Sequence, residues 1–392
     1  MSEKSSATQL WEQIFSRYLE ESNPSIMEQG YDPQERGNYL RQGLKEAGWS
    51  DQEIERRIEI HQQQIDSAPV TSPGINPHSE YLFNLLCNDI EAAMTRLGLD
   101  SHQKIARGVE PRLGPSAALT NVIMTDEGIV TVGTHLFRFC GLVARAFART
   151  LRLNPWLWEP DSYSDEAGMS LLRKNPNILI YWIEIYLSYA VTGTHIGVPF
   201  KPASKDEALL FEQIARSMEI FSIAHEYGHH HLQHGKDIEA DAFREEFQAD
   251  QFALKVCYEV EKRPLIASNP YLPSGAGGVI ILLALETLRD VQGLLERKSK
   301  SFPATHPEVA ERIAKFDSVA VLKPREFDAL KGFRVASERL LRLTNLAVLE
   351  TLKGMPEILA EHSKLKAKLD IEMGNKRAKR RIKKGARSAL ID

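Results

Sequence analysis

The chain has 392 residues, 43% apolar and 26% charged, with a formal net charge of −4. That composition excludes a mainly disordered chain, a collagen-like one and a polycation built for nucleic acid along its whole length. Charge is uneven, however: Lys376 to Arg387 holds eight basic residues and no acid, while the rest of the chain has 41 basic against 53 acidic residues.

In chain order, Leu10, Ile14 and Tyr18 make a short apolar stripe at helical spacing. Glu35 to Ala47 and Ser50 to Ile65 read as a helical hairpin cornered at Gly48-Trp49, with Ser50 and Glu53 spaced as a capping box. Its role is open between a docking module and a cap on the body. Asp66 to His78, with Pro69, Pro73, Gly74 and Pro77, is a linker. Ser79 to Leu99 returns to helix. Leu119–Met124 and Gly128–Val132 alternate as strands around an Asp126-Glu127-Gly128 turn, predicting a hairpin. Thr134 to Arg152 predicts a buried helix, whereas Ile178 to Tyr189 fits strand and helix equally. Ser204 and Glu207 cap a long helix to His234. Further helices are expected at Ile238–Glu261, Gly278–Arg297, Pro307–Phe316 and Arg325–Leu352, and from Glu357 onward the chain permits helix.

Three widely spaced cysteines, Cys87, Cys140 and Cys257, contain no CxxC pair and predict no disulfide framework, which fits a reducing compartment. Met1 to Glu21 lacks a signal-peptide core. The longest clean apolar run, Gly275 to Leu285, is far shorter than the roughly 20 residues a spanning helix needs. A soluble, cytoplasmic protein is expected.

Five of the twelve histidines fall between His225 and His234. Among them His225-Glu226-Tyr227-Gly228-His229 is an HExxH motif. On a helix, positions i and i+4 share a face, so both imidazoles can reach one ion. Glu226, rotated by about 100°, can address a water beside it instead. Hydrolytic zinc takes three protein ligands and keeps one position open. It lowers the pKa of water, whose proton Glu226 can accept. The metzincin spacing for a third ligand falls on Gly235, one residue past His234. Downstream, Glu246 and Asp250 stand at i and i+4 within Glu245 to Asp250. Glu246 is the third-ligand candidate, ahead of Glu239 and Glu245. Asp250 would accept an imidazole N–H and fix the ring.

HExxH followed by ExxAD resembles the gluzincin metallopeptidases of the CAAX-prenyl-protease and membrane heat-shock-protease type. Thr305-His306-Pro307 with Glu311-Arg312-Ile313 is similar to that group's THPP…ERI segment, with Glu308 in place of the second proline. Asn121 to Leu136 is a loose match to the strand and helix before its zinc helix. In soluble layout the motif order is also similar to the Lit-type phage-exclusion peptidase: HExxH, Leu232-Gln233-His234, ExEAD, an apolar helix and THPxxxERI. The resemblance covers roughly residues 115–320. It implies zinc at His225, His229 and Glu246, Glu226 as general base, and a regulatory or defence-related endopeptidase. The membrane members carry spanning helices, which this sequence lacks.

The expected fold is α+β and predominantly helical, a zincin-like metallopeptidase core with a small sheet beside the HExxH helix. The expected division is an N-terminal helical module (1–66), a linker (67–78), a zinc metallopeptidase domain (79–355) and a helical to disordered basic tail (356–392). His306 and Arg312 each suit either an oxyanion stabiliser or a buttress at a helix start. The Leu119–Val132 hairpin either offers an edge to an extended peptide or is ordinary core. His230 and His231 are not taken as ligands, and Tyr227 reads as packing. The partner is a protein or peptide substrate, with an activating partner as one means of restraint. Lys376–Arg387 suits nonspecific polyanion contact or a solvated tail. Two rival readings are a zinc-fold scaffold without turnover and a polyanion-binding factor acting through the tail.

Overall fold

The computed structural model describes residues 5–21, 33–67, 77–153, 164–199, 201–236, 241–262, 268–296, 306–319 and 324–388. The fold is α+β and predominantly helical. Helix α1 (Ser6–Glu21) buries Trp11 and Phe15. Helices α2 (Pro33–Glu46) and α3 (Asp51–Asp66) form the hairpin read from the sequence, with Gly48 at a φ of 88° in its corner. The capping box is present: the Ser50 N–H donates to Glu53 at 3.1 Å. Trp49 packs with Leu44, Ile54 and Ala208, and its indole donates to the Ala203 carbonyl at 3.3 Å. Most of the linker reading, residues 68–76, lies outside the described residues.

Helix α4 (Pro77–Arg96) leads to strand β1 (Ile105–Glu110), followed by β2 (Ala117–Asn121) and β3 (Gly128–Gly133). Among the described residues these make one sheet in the order β1-β3-β2. The expected hairpin is there, with its first strand shifted toward the N-terminus: β2 runs antiparallel to β3, Ala117 opposite Val132 and Asn121 opposite Gly128, while Val122, Ile123 and Met124, expected as strand, lie in the connection. Strand β1 pairs parallel to β3 and had not been read from the sequence. Its Ile-Ala-Arg-Gly-Val-Glu carries little alternation, because its pairing is supplied from elsewhere. Helix α1 covers it, and a Cβ on Gly108 would lie 2.1 Å from the Trp11 indole. The central strand β3 is buried along its whole length.

Helices α5 (Thr134–Leu153), α6 (Asp165–Lys174) and α7 (Pro176–Thr192) follow. Short α6 is not among the helices expected from the sequence; Ser164 caps it by accepting the Ala167 N–H at 3.3 Å. The ambiguous segment is helix α7. It is apolar around most of its circumference, with most of its apolar residues buried by neighbours and Ile180 exposed, so its periodicity is weak. Pro176 opens it and Gly193, at a φ of 72°, closes it.

Helix α8 (Lys205–His231) carries the HExxH motif at its C-terminal end. It is followed by α9 (Ala242–Glu261), α10 (Ala276–Glu296), short α11 (Val309–Ala314), α12 (Pro324–Lys353) and α13 (Pro356–Ser388). Helix α8 packs against α4, α5, α9, α10 and the sheet, so its apolar residues, from Ile214 to Ala224, lie at the centre of the core. Glycines set two of these approaches. A Cβ on Gly277 of α10 would lie 2.5 Å from the Ser217 side chain. A Cβ on Gly228, inside the motif, would lie 3.1 Å from Phe252 of α9. The three cysteines are buried free thiols. Among the described residues no helix is long and apolar enough to cross a membrane.

Candidate metal centre

The last two turns of α8 place His225 and His229 one turn apart with their Nε2 atoms 3.0 Å from each other. Because Gly228 lets α9 close in, Glu246 reaches the same point from the neighbouring helix. Its Oε2 lies 3.5 Å from His225 Nε2 and its Oε1 lies 3.5 Å from His229 Nε2. The donor atoms of the three residues all fall within 4.8 Å of one another. His225 and Glu246 are buried and His229 is half-buried.

The surrounding groups hold these rings. The Asp250 Oδ1 accepts from His225 Nδ1 at 2.9 Å. Arg312 forks onto the same carboxylate, Nε and Nη2 each donating at 2.7 Å, and its Nη1 stands 3.4 Å from Glu246. Arg312 is therefore a buried buttress to two acids. His306 is half-exposed, and its Nδ1 is 3.1 Å from Glu246 Oε1. Glu226 is half-buried, close enough to His225 and Arg312 to favour the charged form of both. Glu245 accepts the Gly235 N–H at 3.0 Å, a turn-holding role, and Glu239 lies outside the described residues.

The electrostatics favour positive charge at this point. Burial by itself would lower the His225 pKa, but hydrogen bonds from Asp250 and Glu246 outweigh it and raise it to about 10. Burial would likewise raise Glu246, yet bonding to His225, His229 and His306 holds it far below the usual carboxylate range. Asp250 is also lowered, by Arg312 and His225 against its burial.

The donor set fits a divalent cation. His225 Nδ1 is engaged by Asp250 and His229 Nδ1 by His234, the latter at 2.9 Å. The two Nε2 atoms then face each other at 3.0 Å, a separation that calls for a proton or a cation between them. Two imidazole nitrogens and a carboxylate oxygen are a hydrolytic metal's ligand set.

Several supports were not legible beforehand. Tyr227 donates to Glu91 of α4 at 2.7 Å, and Glu91 pairs with Arg107 of β1, tying the motif helix to two neighbours. His230 is buried against Gly128 of β3, where a Cβ would lie 2.6 Å from its ring. His231 bonds Ser101 at 2.9 Å. The end of β2 is fastened beside the motif, since Asn121 Nδ2 donates to the His234 carbonyl at 3.0 Å.

Residues 198–332 match the family model Peptidase U49. That match supports a peptidase function. It spans α8, α9, α10 and α11 and takes in His225, Glu226, His229, Glu246, Asp250, His306 and Arg312. No curated protein and no solved structure matches the chain.

Proposed function

We propose that the chain is a zinc-dependent endopeptidase of the gluzincin type, acting on a protein substrate. The observation that carries the reading is the convergence of His225, His229 and Glu246, with Glu226 on the adjacent helical position. These three residues would hold the ion. Bound there, zinc supplies Lewis acidity toward a carbonyl and a lowered pKa for water.

The chain's own residues do the rest. Glu226 takes a proton from the attacking water and returns it to the leaving amine. His306, on the exposed side of Glu246, donates to the tetrahedral oxyanion. Arg312 stays behind the ligands and keeps Asp250 and Glu246 ionised. The outer edge of β2 offers main-chain hydrogen bonds to an extended peptide, and its fastening to the end of the motif helix supports that use.

The deciding experiment is Glu226→Gln. Cleavage of a captured protein substrate should fall by more than about a hundredfold while zinc content stays at one ion per chain. Biological activity that survives this change with the ion bound would point to the scaffold reading instead. The polyanion reading predicts that deletion of 374–392 abolishes a salt-dependent activity and spares proteolysis. The basic side chains of Lys376–Arg387 lie outside the described residues.

A further inference from the structure

The two histidines of the motif are held in different ways. His225 leans on a carboxylate, itself clamped by Arg312. His229 leans on a second imidazole, the ring of His234.

His234 arrives there by a costly route. Helix α8 ends at His231, and the chain then reverses through Gln233 at a φ of 59° and Gly235 at a φ of 70°. A non-glycine residue in the left-handed region costs about 1 kcal/mol or more. The reversal lets the His234 N–H donate to the His229 carbonyl at 2.9 Å and brings the His234 side chain onto the His229 ring. His234 is buried and its backbone is pinned from β2 by Asn121. Its Nε2 meets Gln248 Oε1 of α9 at 3.1 Å.

With His229 as a metal ligand, one proton arrangement satisfies this chain. As a metal ligand, His229 offers its Nε2 lone pair to the ion, so its proton sits on Nδ1. That N–H donates to His234 Nδ1, which must then carry a lone pair. The remaining His234 proton is on Nε2 and donates to the Gln248 carbonyl oxygen. His234 thus faces His229 Nδ1, on the far side of the ring from the other donors, and is not itself a ligand.

We propose that His234, held in its tautomer by Gln248, is the positioning residue for His229, presenting its Nε2 lone pair to the metal. This rests on the metal reading above. It assigns the strained Gln233 turn a purpose: it delivers a hydrogen-bond acceptor to His229 Nδ1.

The test is metal binding by the full-length protein, through chelator competition for zinc and the visible spectrum of the cobalt-substituted form. His234→Phe keeps a ring but no acceptor. It should lose about 10- to 100-fold in zinc affinity and shift the cobalt bands. His234→Gln restores an acceptor and should recover most of the affinity. Gln248→Leu should fall between them, with Gln248→Glu near wild type. Wild-type affinity and cobalt spectrum in His234→Phe overturn the proposal. So does a His234→Gln variant as weak as His234→Phe, which would make ring shape the cause. If His234→Phe does not fold, Gln248→Leu decides, since it leaves both rings in place: an unchanged cobalt spectrum there overturns the relay. A wild-type protein that binds no zinc overturns the metal reading itself, a separate outcome.

Discussion

Asp250 serves two partners with one carboxylate. Its Oδ1 accepts from both His225 and Arg312, and its Oδ2 accepts from Arg312 alone. Removing it leaves a buried guanidinium whose remaining ion pair, among the described residues, is the longer 3.4 Å contact to Glu246. Asp250→Ala should cost about 3 kcal/mol in urea unfolding. It should also weaken zinc binding, whereas Asp250→Asn keeps an acceptor for His225 and loses less. Glu219, two turns before His225 on the same helix, is a different buried acid. Burial raises its pKa from 4.5 to about 8, against the pull of Arg216. Between those values the folded chain holds a proton that the unfolded chain has released, so stability falls as pH rises through that window. Glu219→Gln should therefore gain on wild type steadily from pH 5 to pH 8, read as urea midpoints. Equal differences at both pH values would show that Glu219 titrates normally.

Between elements, one close approach in the core depends on a residue that has no side chain. Gly277 lets α10 meet α8 at Ser217, where an added Cβ would also lie 2.6 Å from a backbone carbon. Gly277→Ala must push the two helices apart, at about 1–3 kcal/mol. Because α8 carries the motif, peptidase activity should drop further than the loss of folded protein explains. Thermal melts and active-site titration on one sample separate the two effects. The sheet shows the limit of periodicity as a guide. The β2–β3 hairpin was visible from its alternation and turn, but β1 was not. Arg107 sits in the middle of β1 because Glu91 of α4 is there to pair with it, a partner 16 residues away in sequence.

For the whole molecule, the metal reading has a thermodynamic consequence. An ion that binds only the folded chain stabilises it by mass action, about 4 kcal/mol at a thousandfold excess over Kd. Chelation should lower the melting temperature and abolish proteolysis together, and zinc should restore both. A melting temperature indifferent to chelator would count against a resident ion. The N-terminal hairpin bears on the same helix from its other end. Trp49 and the Lys205–Glu53 and Arg57–Glu212 pairs sit on the first turns of α8, whose last turns hold His225 and His229.

The sequence alone determined what depends on neighbours a few residues apart. The HExxH spacing, the Glu246–Asp250 spacing and both capping boxes follow from helical geometry, and each was legible because a helix is a local structure. The tertiary structure decided how the two helices meet. Gly228 admits α9, Arg312 arrives from 62 residues beyond Asp250 to clamp it, and His234 turns back beneath His229 with Gln248 behind it. None of these has a period or a spacing of its own. Each is a contact between surfaces that come together only when the core closes around α8.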